Sequence, residues 1–90
     1  MISKEITTMR WIITENGVRL KLMEISMLCA ESEANDATKF TLMAVIKATQ
    51  SAVILKHDIS HDTAEKIMDR ITDPNDNWLL LDLRKEYVEN

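Results

Sequence analysis

Two His-Asp pairs, His57-Asp58 and His61-Asp62, stand four residues apart. On one continuous helix that spacing sets both imidazoles and both carboxylates on one side, where nitrogen and oxygen donors would suit a metal ion. These are the only two histidines in the chain, and no cluster of His or Cys elsewhere completes a ligand set. Ser60 lies between the pairs and reads as a helix N-cap, so the chain bends there and the shared face is lost. His57, Asp58, His61 and Asp62 are therefore metal candidates on paper only, and no metal is expected. The plainer reading makes His57 a cation at the C-terminal end of one helix and His61 a polar residue in the first turn of the next.

Other chemistry finds less purchase. Asp73-Pro74-Asn75-Asp76-Asn77 opens like a calcium loop, with oxygen ligands at positions one, three and five. The match then fails, because Trp78 takes the position that needs Gly and Arg84 the position that needs Glu. No Ser or Cys has a recognisable base partner, and one glycine cannot build a phosphate-cradling loop. An enzyme is not expected, nor a cofactor. Two helices joined by a short polar turn, 61–72 and 78–88, have a helix-turn-helix outline, but a DNA-reading helix presents polar and basic side chains. Trp78-Leu79-Leu80-Leu81-Asp82-Leu83 is apolar and only Arg84 and Lys85 follow as bases.

The element that would have to position any site is the stretch 37–57. At 3.6 residues per turn, Phe40, Leu42, Met43, Val45, Ile46, Val53, Ile54 and Leu55 point in nearly every direction, which predicts a helix buried on all sides. Lys47 interrupts it well short of the roughly 20 apolar residues a membrane span requires. The polar run Glu31 to Asp36 supplies caps at its start, and Lys56 with His57 suits the negative end of its dipole.

Around it the spacing predicts further helices. Ser3 would cap a first one carrying Ile6, Met9 and Ile13, closed by Gly17. A second pattern places Val18, Leu22, Ile25 and Cys29 on one side. Residues 9–24 carry a rival reading, because Trp11-Ile12-Ile13-Thr14 is β-prone and Asn16-Gly17 signals a type I′ hairpin that sets Ile13 opposite Leu20 and Trp11 opposite Leu22. Further on, Ser60 caps a helix with Ala64, Ile67, Met68 and Ile71 as its apolar stripe. A last helix over 78–88 would show two apolar faces, Leu79, Leu80, Leu83 and Tyr87 on one and Trp78, Leu81 and Val88 on the other.

One Gly and one Pro among 90 residues, with six Met and 46% hydrophobic residues, favour helix and leave few turns. The fold expected is all-α, a single domain over residues 1–90 of four to five helices around a central buried one. The alternative is α+β with a hairpin at 9–24. Such a chain has a thin core, so self-association as a homodimer is expected, with Trp78, Leu81 and Val88 as the interface. Cys29 cannot form an internal disulfide and reads as a small buried apolar residue, and Met1-Ile2-Ser3-Lys4-Glu5 lacks an export signal, so the cytoplasm of a bacterium or a phage-infected host is expected.

Charge is uneven. Residues 1–56 hold seven basic and six acidic side chains, and residues 57–90 hold four and nine, so the last third carries −5. Direct nucleic-acid binding needs a basic face that is absent, and no membrane is implied. The expectation is a small intracellular interaction protein of the adaptor, inhibitor or immunity kind, whose partner is another protein. The alternatives are acidic mimicry of nucleic acid toward a DNA- or RNA-binding protein, and a metal-dependent site at the two His-Asp pairs.

Overall fold

Alternation, not helical periodicity, governs the middle of the chain. The structure, a computed structural model, describes residues 10–75 and 77–88. In strand β4 (Asp36–Ile46), Leu42 and Ala44 are fully buried, while Thr41, Met43 and Val45 between them keep partial exposure. A wheel scatters these side chains all round, whereas a strand sorts them into two rows, and a run that is apolar on both rows looks the same in either form. Thr38, Thr41, Val45 and Ile46 are β-branched and Phe40 is aromatic, which tips the choice toward the extended chain. The polar residues that follow then reverse it. Gln50 sits at φ 58° and donates its N–H to the Ile46 carbonyl at 2.8 Å, and strand β5 (Ala52–Ile59) returns antiparallel.

The expected central helix is therefore a hairpin. Its predicted capping run, Glu31 to Asp36, is instead the end of the preceding antiparallel strand β3 (Ile25–Glu33), a tight turn at Ala34 and Asn35, and the first residue of β4. Strands make up 47% of the described residues, which overturns the all-α bundle of four to five helices.

The hairpin alternative fits in kind but not in register. Strands β1 (Trp11–Ile13) and β2 (Arg19–Lys21) pair with Ile12 opposite Leu20, one residue away from the expected alignment. The reason is the loop. Thr14 accepts the Gly17 N–H at 2.9 Å and donates its own N–H to Val18 at 2.8 Å, so three residues span the turn, and Gly17 takes φ 86° as the left-handed residue after it. A type I turn with a following left-handed Gly replaces the two-residue type I′ turn. The first expected helix falls in part on residues 1–9, outside the described residues, and its remainder is β1 and the turn that follows it. The helix expected over 18–29 is β2, a single 3-10 turn (Leu22–Glu24) and the start of β3.

Helix α1 (His61–Thr72) is as the spacing predicts. Ser60 Oγ accepts the Thr63 N–H at 3.2 Å, Asp62 lies in the first turn, and Ala64, Ile67 and Ile71 are buried. The last expected helix is not present. Strand β6 (Leu80–Asp82) runs parallel to β1, with Ile12 opposite Leu81, because a short apolar run bounded by the turn after Asp73 suits a buried strand better than a long helix.

The result is two three-stranded sheets, β2-β1-β6 and β3-β4-β5, plus α1. They share one core, in which Ile12, Leu20, Leu42, Ala44, Leu55 and Ile59 meet Ala64, Ile67 and Ile71 of α1 and Trp78, Leu81 and Leu83 beyond it. Glu15 stitches the sheets together by donating its N–H to Leu55 at 2.9 Å. Among the described residues no helix is long and apolar enough to cross a membrane.

Candidate functional site

Because α1 packs on the β3-β4-β5 sheet through Leu42 and Ala44, the strand pleat sends the alternate positions to the opposite side. Pairing fixes them in rows. Met27, Val45 and Ala52 lie side by side across the sheet, then Cys29, Met43 and Ile54, then Glu31 and Thr41. The first two rows are apolar throughout, yet Met27 is 55% and Ile54 44% exposed. Soluble antiparallel sheets ordinarily turn polar residues to an uncovered face, so this one is unusual for leaving an apolar floor open. Cys29, expected to be a buried small residue, is half-buried on this floor.

The third row marks a change of character. An open groove of about 620 Å³ is lined there by Thr41, Met43 and Ile54 together with Glu15, Glu31, Glu33 and His57. Two of these carboxylates are placed by the backbone. Strand β5 is interrupted near its end, with Asp58 at φ 57°, so the N–H groups of residues 57 and 58 leave the regular ladder. Glu15 Oε1 accepts the His57 N–H at 3.1 Å, and Glu33 Oε2 accepts the Asp58 N–H at 2.6 Å, supplying the acceptors that a neighbouring strand would otherwise provide. Glu15 Oε2 also meets His57 Nδ1, and the Thr41 hydroxyl reaches Glu33 at 3.5 Å.

The two His-Asp pairs go to different places. His57 is at the edge of β5 with Glu15. His61 opens α1, where it stacks edge-on against Phe40 at 5.1 Å and lies 3.6 Å from Glu65. Asp62 pairs with Lys66 at 3.1 Å. Among the described residues no three His, Cys, Asp or Glu side chains are grouped to hold a metal ion. Lys56, expected at a helix terminus, is instead buried in β5 and donates to the Leu83 carbonyl at 2.8 Å. The calcium-like segment is a turn, in which Asp73 Oδ1 accepts the Asn75 N–H at 2.9 Å.

The three residues expected at an interface are also separated. Leu81 is fully buried in the shared core. Trp78 is 7% exposed, with its indole N–H donated to the Arg70 carbonyl at 3.0 Å and the Arg10 guanidinium 5.0 Å from the ring centre. Only Val88 is exposed. The surface that sequence reasoning missed, Met27, Cys29, Met43, Val45 and Ile54, lies in runs that are apolar at nearly every position, so neither period marked it, and only their β-branched residues pointed to strands.

A two-pronged ion pair lies away from this face. Arg84 donates from Nε to Asp82 Oδ1 at 2.9 Å and from a terminal nitrogen to Oδ2 at 2.8 Å. These hydrogen bonds hold the Asp82 carboxyl down to about 2. Arg70 is likewise kept firmly protonated by the hydrogen bonds it donates to Tyr87 and Glu86, which tie the chain after β6 to α1. Both are structural clasps. Comparison with protein-family models, with curated proteins and with solved structures finds no match to this chain.

Proposed function

We propose that this chain is a small protein-interaction module of the adaptor, inhibitor or immunity kind, acting in the cytoplasm by occupying another protein without catalysis. The observation that carries the reading is the uncovered apolar floor of the β3-β4-β5 sheet, on which Met27 and Ile54 are about half exposed. Full burial of such a side chain is worth roughly 1.5–3 kcal/mol, and about half of that is left for a partner to supply at each of these positions. Mimicry of nucleic-acid charge draws less support. In the acidic last third, Asp62 is paired with Lys66, Asp82 with Arg84 and Glu86 with Arg70, so the field it projects is weaker than the count of acids implies.

The test is affinity capture from the source cell with three immobilised forms: wild type, Ile54→Asp on the floor, and Leu79→Asp at an exposed apolar site elsewhere. A protein retained by wild type and Leu79→Asp but lost with Ile54→Asp supports the reading. The same set of proteins on all three forms overturns it.

A further inference from the structure

We infer that the open floor of the β3-β4-β5 sheet receives one amphipathic α-helix from another protein, apolar on the side that meets Met27, Met43 and Ile54 and carrying Lys or Arg where it reaches Glu31 and Glu33. This rests on the interaction reading above and names its partner's chemistry.

The dimensions set the kind of occupant. Three strands span two inter-strand spacings, a width of about 10 Å, which is the diameter of one α-helix with its side chains. The same sheet already takes one helix on its inner side, where α1 lays Ala64, Ile67 and Ile71 against Leu42 and Ala44. The outer floor is a second seat of the same width. Its two apolar rows run for about 10–14 Å along the strands, the length of two to three helical turns. Methionines at two positions of this floor adapt to the shape of what lands on them.

The charge comes from the row that follows. Glu31 and Glu33 line the groove where Met43 and Ile54 end, and Glu15 stands across it in contact with His57. A helix long enough to cover the apolar rows brings its next turn over these carboxylates. Basic side chains there gain attraction, and acidic ones are repelled, so the rim selects the sign of the partner. The chain's own net charge of −4 adds to the same preference.

A second copy of this chain is the competing occupant, and the area argues against it. A stable dimer of standard size removes about 800 Å² from each partner, far more than a floor two strand spacings wide and two rows long provides. A single helix needs less and gains from the charged row.

The probes are two synthetic 18-residue amphipathic helical peptides with the same leucine stripe, one flanked by Lys and the other by Glu, titrated into the isotopically labelled full chain. The expected result is amide shifts centred on Met27, Met43, Ile54 and Glu31 with the Lys peptide and at least tenfold weaker binding of the Glu peptide. Glu31→Lys, at an exposed position, narrows that difference at least threefold, and Ile54→Asp abolishes the shifts while the protein melts as wild type. Equal binding of both peptides, or shifts confined to the outer face of α1, overturns the inference. If neither peptide binds but sedimentation finds a dimer that Ile54→Asp dissociates, the helix is wrong and the interaction reading stands. If neither peptide binds, the chain is monomeric and Ile54→Asp retains every captured protein, both fall.

Discussion

The two sheets use apolar residues in opposite ways. In β2-β1-β6 the strands are three residues long, yet Ile12, Ile13, Leu20 and Leu81 are all buried, on both sides of β1. In β3-β4-β5 the strands run for nine, eleven and eight residues, and one whole side stays open with Met27 and Ile54 in water. Strand length does not decide which sheet is better covered. What decides it is how many elements close over each face: the small sheet lies within the shared core, whereas among the described residues the large one has α1 on one side only. Stability should therefore be concentrated in the shorter sheet and recognition in the longer one, and substitutions in the two should separate these properties.

The largest effect belongs to the small sheet. Leu81 is fully buried opposite Ile12, and Leu81→Ala removes a core side chain and leaves a cavity, at a cost of about 2–5 kcal/mol. Chemical denaturation would show it as a lower midpoint with an unchanged slope. A loss below about 1 kcal/mol would mean that β6 is not part of the core and would break the contrast.

A smaller effect, visible through pH, comes from the clasp at the end of the same sheet. The hydrogen bonds from Arg84 hold Asp82 at about 2, below its ordinary 3.8. A carboxyl depressed in the folded state stabilises it fully above the unfolded value, and the contribution is lost as pH falls through the folded one. The melting temperature should thus hold steady above about pH 5 and fall between about pH 4 and 2. Asp82→Asn should lower it at neutral pH and flatten part of that fall, modestly, since Arg84 is half in solvent. Parallel curves for the two proteins would remove Asp82 from the account.

At the hairpin joining β1 to β2, Gly17 has φ 86° and open space around the position of a Cβ. Gly17→Ala then meets no clash and suffers only the left-handed backbone, about 1 kcal/mol. For a domain of this size that is a fall of roughly 4–8 °C. No change at all would favour the turn without a left-handed residue.

These substitutions also trace how far the chain could be read before its structure. Helix α1 was legible because a cap at Ser60 and a stripe at Ala64, Ile67 and Ile71 agree on one period. The hairpin at 9–24 was legible in kind from Asn16-Gly17, but its register was not, because a three-residue loop with Gly last leaves the same local signal as a two-residue loop. Residues 37–57 misled for a physical reason. A strand that is apolar on both sides has no alternation to display, and both sides of β4 carry such residues, one for α1 and one uncovered. The feature that hid the fold is the same feature that makes the candidate site. Likewise Trp78 and Leu81 suggested surplus apolar surface only while they were drawn on a helix; with Leu81 on β6 beside β1 and Trp78 in the segment leading into it, both are core. Glu15 and Glu33 could not have been foreseen as acceptors for residues 57 and 58, since nothing local in the chain announces the break in β5.

The smallest expected change in stability is the one that sharpens the contrast most. Ile54 is 44% exposed on the open floor, in the row with Met43 and Cys29. A carboxylate introduced there remains in water and disturbs no buried neighbour, so Ile54→Asp should alter stability by no more than about 0.5–1 kcal/mol, most of it from lost strand propensity. A core position treated the same way would bury a charge and unfold the domain. Thermal melting of Ile54→Asp beside Leu81→Asp therefore reads the division directly: the first should melt close to wild type and the second should not fold. If Ile54→Asp also fails to fold, the floor is covered in the native protein by its own chain, and the long sheet belongs to stability as much as the short one does.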